Sequence, residues 1–156
     1  MPSRRSPAAL DAVRAIEDDR GWAWIEHSLA NLDLRRGRLA AAAVRLDRAA
    51  RVHEQVRDQE GIAEVLRAKG DLALAREAPW NALAPLRRAA AIWQTLDSRL
   101  EHARTLARLE LALSSTGDNR AARKCHRAWQ ALLVDVGLDD QSLRLPPAKT
   151  GDPQAG

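Results

Sequence analysis

A cysteine beside a histidine, Cys125-His126, is the nearest this sequence comes to a nucleophile with its base. Thiolate chemistry needs a base within hydrogen-bond reach and a third group to orient that base. Neighbouring residues on a helix point about 100 degrees apart, so the pair does not face itself and packing is the reading for Cys125. His27, His53, His102 and His126 form no spaced metal pair such as HExxH, and neither a Gly-rich phosphate loop nor a GxSxG elbow occurs. One cysteine allows no internal disulfide and no cysteine-built zinc site. Asp18-Asp19 and Asp139-Asp140 fall at expected element ends and read as caps or solvated turns. The expectation is a protein without catalytic, cofactor-binding or metal-binding residues.

The elements that position these side chains follow from composition. The 156 residues are 46% hydrophobic and 29% charged, the balance of one globular unit. Tyr and Phe are absent, Gly and Pro number 8 and 7, and the apolar residues are mainly Ala and Leu, which favours helix over sheet. No apolar run approaches membrane-helix length and no signal core follows Met1 to Arg5, so a cytoplasmic location is expected. The net charge of +4 is a weak field despite a pI near 10.2, because arginine dominates the bases, and nucleic acid is not the expected partner. Arg120, Arg123, Lys124 and Arg127 make a basic stripe on the last helix, either a contact for an acidic partner or an outward solvated face.

An internal period organises the chain. Gly37, Glu77 and Gly117 recur 40 residues apart between apolar stretches, and the same step relates Gly21 to Gly61, Ala23 to Ala63 and Ala103, and Leu32 to Leu72. It also relates Ala42 to Ala82 and Ala122, Leu46 to Leu86, and Ala49 to Ala89. Three units result, 21–60, 61–100 and 101–138, each of two antiparallel helices. First helices are expected over 21–36, 61–76 and 100–116, and second helices over 39–57, 79–97 and 118–136. Pro79 suits a first helical turn and Asp118 an N-cap, whereas Pro85 should bend the second helix of the middle unit.

The spacings Ala42-x3-Leu46-x2-Ala49 and Ala82-x3-Leu86-x2-Ala89, with Leu29-Ala30-Asn31-Leu32 and Lys69-Gly70-Asp71-Leu72 in the first helices, resemble the tetratricopeptide repeat. The 40-residue step is similar to the long-repeat variety of bacterial signalling ATPases and actinobacterial transcription regulators. The resemblance implies an all-α, right-handed solenoid that binds a protein or peptide in a concave groove lined by the first helices. It places Trp24, His27, Asn31, Leu34 and Arg35, then Glu64, Arg67, Asp71 and Leu74, then Arg104, Arg108 and Leu111 along that groove. Trp24, whose counterparts are Glu64 and Arg104, is either an interface anchor or packing for the N-terminal helix. Asn31, Arg104 and Arg108 match polar positions with which chaperone-binding members of the family clamp a terminal carboxylate, though His27 and Ala68 depart from that set. The two arginines are otherwise a solvated face pairing with Glu101 or Glu64. A second functional class stays open, a sensor of a small molecule or signalling peptide that controls an effector in trans.

The ends are irregular. Residues 1–8 are expected to be flexible, and 9–20 to be a half repeat, in phase with a second helix: Ala9 matches Ala49, Ala12 matches Val52, Ile16 matches Val56 and Asp18 matches Asp58. The chain reads as starting halfway through a repeat, as a piece of a longer array would. Leu10, Val13 and Ile16 should be partly exposed unless a second copy or an upstream segment covers them. In the third unit Glu110, His126 and Trp129 replace the small or apolar residues of the other units, which suits a capping repeat. Residues 139–156, rich in Asp, Pro and Gly, are expected to be a disordered tail.

Overall fold

The computed structural model describes residues 6–146. Its described residues form α1 (Pro7–Arg35), α2 (Leu39–Gln55), α3 (Gln59–Ala75), α4 (Pro79–Thr95), α5 (Arg99–Thr116), α6 (Asn119–Val136) and a 3₁₀ turn at Asp140–Leu143. Helices pair as α1 with α2, α3 with α4 and α5 with α6, and the pairs stack through α2 on α3 and α4 on α5. The first helices also touch one another, α1 to α3 and α3 to α5, so they form one layer and the second helices the other. The chain is an all-α helical-repeat solenoid.

The repeat works through small side chains. Ala23, Ala63 and Ala103 are fully buried, as are Ala42 and Ala82, and Leu46 and Leu86 fill the space these alanines leave between paired helices. Truncating either leucine to alanine removes transfer energy and opens a cavity, about 2–5 kcal/mol. Gly70 is small because a Cβ there would lie 2.5 Å from Leu86. Core residues form three successive clusters, around Leu46 and Val65, around Leu86 and Leu109, and around Trp129 and Leu133, so the core runs the length of the stack.

Each helix ends in the same way. Gly37, Arg57, Glu77, Asp97, Gly117 and Gly137 have positive φ and recur every 20 residues. In each case the following residue donates across the turn to the carbonyl five back, as Asp58 does to His53 (3.0 Å) and Ala78 to Ala73 (2.9 Å). These are Schellman turns, and three of the six use a side-chain-bearing residue where glycine is least strained.

Two expectations are corrected. First, 9–20 is not a separate half-repeat helix and Asp18-Asp19 is not at an element end. One helix runs unbroken from Pro7, capped by the Ser6 hydroxyl accepting from the Ala9 N–H at 3.2 Å, to Arg35. Pro7 and Ala8, expected in the flexible segment 1–8, belong to this helix, and residues 1–5 lie outside those described. Everything from Ser6 to Trp22 is exposed. Second, residues 139–146 are not a disordered tail: Leu143 is 2% exposed and packs with Ala103, Ala107, Trp129 and Leu133. The rest of the expected tail, 147–156, lies outside the described residues. The second helix of the middle unit, α4, contains Pro85 as expected and runs from Pro79 to Thr95.

Candidate functional site

The layer of first helices carries charged residues at spacings of three and four, which sets them on one helix face. On α3 these are Glu64, Arg67 and Asp71, and on α5 Glu101, Arg104 and Arg108. Arg67 Nη2 donates to both Glu64 oxygens (2.8 and 2.7 Å) and its Nη1 to Glu101 Oε2, which links the two helices. Glu101 Oε1 accepts from Arg104 Nη1 at 2.5 Å. On the α1 side Glu64 Oε2 lies 3.9 Å from His27 Nε2, and that nitrogen is 3.2 Å from Asn31 Nδ2. A ladder of alternating sign thus crosses three helices.

Its electrostatics follow from burial and neighbours. Burial pushes the Glu64 carboxyl above its ordinary value in spite of Arg67. Burial acts the same way on Glu101, but Arg67 and Arg104 outweigh it and hold that group below the ordinary value. His27, 5% exposed, is lowered to about 4 by burial, with Arg67 and His53 adding to the effect, so its ring is neutral near pH 7. Burial lowers His53 as well, against the pull of Asp58.

Arg108 makes a second site. Its Nε donates to both Asp71 oxygens at 2.8 and 3.0 Å, and its Nη atoms donate to the carbonyls of Arg104 (2.9 Å), Leu143 (3.3 Å) and Arg144 (2.7 Å). Arg104 Nε donates to the Ser142 carbonyl at 2.8 Å. Burial raises the Asp71 carboxyl in spite of Arg108. These arginines are not a loosely solvated face: Arg108 is 7% exposed, and both hold the main chain of 142–144. Asn31, the third member of the clamp set, sits with His27 and touches neither arginine.

The remaining groove positions divide. Trp24 is half-buried, its Nε1 donates to Asp58 Oδ2 at 3.2 Å, and its ring meets His27 and His53 edge-on at 5.6 and 5.5 Å. It packs neither as a free anchor nor on the N-terminal segment. Asp58 is a hub, since it also caps α3 through the Gly61 N–H at 3.2 Å and lies 3.6 Å from Arg20. Arg35 and Leu111 are exposed, and Leu34 and Leu74 half-buried. Sequence reasoning named Glu101 as a partner for Arg104 but missed its link to Arg67, the role of Asp58 and the carbonyls of 142–144. One signal was available: Trp24 and Asp58, Arg67 and Glu101, and Glu54 and Arg88 all pair at a separation of 34 residues.

Elsewhere, Cys125 is half-buried and its thiol is pushed up by burial and then by Glu110, the opposite of what a nucleophile needs. His126 is committed to Glu110, with Nδ1 3.1 Å from Oε1. Arg120, Arg123, Lys124 and Arg127 are all exposed on α6. Among the described residues no three His, Cys, Asp or Glu are grouped to hold a metal ion, and no helix is long and apolar enough to cross a membrane. Chemically, the surface offers arginine N–H groups to peptide carbonyls beside an apolar socket. Comparison with models of protein families, with curated proteins and with solved structures finds no match. The class defined by fold and surface is that of helical-repeat proteins.

Proposed function

We propose that this chain is a non-catalytic interaction module whose layer of first helices holds a peptide segment or a partner protein. The observation that supports this is the capture of 142–144: two arginines one helical turn apart grip successive main-chain carbonyls while Leu143 enters an apolar socket. Main-chain hydrogen bonds for grip with one side-chain pocket for choice is a general way of holding an extended peptide. The part of the layer toward α1, where Asn31 and Glu64 are partly exposed and Arg35 is exposed, is the surface offered to a partner. The tetratricopeptide resemblance adds a setting in bacterial signalling or transcriptional regulation.

The test is the labelled chain on an array of short peptides. A subset should bind, and Arg35→Glu with Asn31→Ala should weaken those peptides about tenfold, near 1.4 kcal/mol. A folded chain that retains no peptide would end this reading.

A further inference from the structure

The first helix of the solenoid has a bare face that its counterparts do not have. Trp22 and Ile25 are 43% and 60% exposed, whereas Ile62 and Val65, one repeat on, are 4% and 1% exposed. Leu29 and Leu32 are each 37% exposed, and their partners two repeats on, Leu109 and Ala112, are buried. In the later units the preceding second helix lies on these positions, α2 on α3 and α4 on α5, whereas among the described residues no helix lies on this face of α1.

Gly21 belongs to the same face. A glycine inside an exposed helix loses about 1 kcal/mol against alanine, and here nothing lies within 4 Å of where its Cβ would be. At Gly61, its counterpart, a Cβ would stand 2.1 Å from His53 Nδ1, because α2 presses its side chains against that glycine. Gly21 is therefore shaped for a second-type helix that is not supplied by its own unit.

The chain carries such a helix. Ala9, Leu10 and Val13 are in register with Ala49, Ala50 and His53 on α2 and with Ala89, Ala90 and Trp93 on α4, all of which face inward. Glu17 stands 20 residues before Gly37, in step with the six positive-φ turn residues, but it lies within α1 and makes no turn. The arm and the face are thus held apart on one rod: Ala9 and Ile25 are 16 residues, about 24 Å, apart along it. A straight helix across a register turn, with a free arm on one side and its receptor face on the other, is the arrangement that domain exchange satisfies.

We propose that two copies of this chain associate through α1, the arm 7–16 of each lying antiparallel on the Trp22–Ile25 face of the other. The interface continues the packing already present between units. His53 against Gly61 and Ala49 beside Val65 set its register, which places Val13 opposite the partner copy's residue 21 and Ala9 opposite its residue 25. The two rods cross near Glu17.

The experiment combines sedimentation with disulfide trapping. Over a concentration series the full chain should pass from monomer to dimer. Gly21→Arg should remain monomeric at every concentration with unchanged helicity, since open space surrounds that position in the single chain. In a Cys125→Ser background, Ala9→Cys with Ile25→Cys should oxidise to a covalent dimer on a non-reducing gel. An intramolecular bond would mean that α1 breaks near Glu17 and the arm covers its own face, which overturns the proposal. A chain that is monomeric throughout and does not cross-link overturns it too, and leaves a different protein as the occupant. A dimer that survives Gly21→Arg also overturns it.

Discussion

Trp129 Nε1 donates to Glu110 Oε2 at 2.6 Å, and His126 turns its Nδ1 to the other Glu110 oxygen while stacking edge-on against Trp129 at 4.7 Å. These three residues occupy the repeat positions of Gly70, Leu86 and Ala89, of which Gly70 packs against Leu86 and Ala89 is fully buried. The three departures of the last unit are therefore one exchange, an apolar contact replaced by a hydrogen-bonded one. The enlarged Trp129 then helps to form the socket for Leu143.

That coupling is measurable. Glu110→Ala should cost about 1–3 kcal/mol because it leaves the indole N–H without its acceptor. Trp129→Phe removes the donor, and the double variant should lose less than the two singles added, with a coupling of about 0.5–3 kcal/mol. Strict additivity in urea unfolding would show that the contact carries no energy of its own.

The two register-matched glycines should respond with opposite sign. At Gly61 an added methyl meets the fully buried His53 ring, so Gly61→Ala should destabilise by about 1–3 kcal/mol. At Gly21 it meets open space in the single chain, and Gly21→Ala should stabilise the dilute monomer by about 1 kcal/mol through helix propensity. Equal effects at the two sites in thermal melts would contradict the exposed arm.

The period of 40 made the architecture legible, because in a stack of pairs the same positions must be small in every unit. Helix ends came within two residues at most points, since each turn reuses one geometry. What the pattern hid was where repetition stops. Asp18 matches the cap Asp58, yet 9–20 runs straight into α1 without a turn. The segment after Gly137 has the composition of a disordered tail, but Leu143 stands 40 residues after Ala103, in step with three buried alanines, and one side chain docks the turn. Groove residues were placed on the right layer, but pairing at separations of 34 and 37 consumes most of their charge. Periodicity alone does not report which faces meet.

Acid should weaken the fold through its buried histidines. His27 is lowered from 6.5 to about 4, and His53 and His102 are also lowered by burial. The unfolded chain therefore takes up protons that the folded one refuses. Stability is full above the unfolded value of 6.5 and falls as pH drops toward about 4, by up to roughly 1.4 kcal/mol per pH unit for each such histidine. Glu64 and Asp71, raised by burial, act in the opposite direction and add stability as they protonate. Urea midpoints between about pH 7 and pH 5 should decline. His27→Gln should flatten that decline by nearly one proton, and an unchanged slope would mean that His27 is protonated in the fold.

The end of the stack depends on Leu143. Its side chain packs with Ala103, Ala107, Trp129 and Leu133, and the adjoining carbonyls accept from Arg104 and Arg108, which also donate to Glu101 and Asp71. Leu143→Ala should therefore lower stability by about 2–3 kcal/mol, a drop of several degrees in Tm for a chain of this length. Leu145, 41% exposed, is the control, and Leu145→Ala should stay within about 0.5 kcal/mol. A chain ending at residue 138 should bind a peptide spanning 139–146 in trans, and the Leu143→Ala form of that peptide should bind at least about tenfold more weakly. If Leu143→Ala melts like Leu145→Ala, the turn is not docked in solution, and the peptide-holding role of Arg104 and Arg108 loses its support with it.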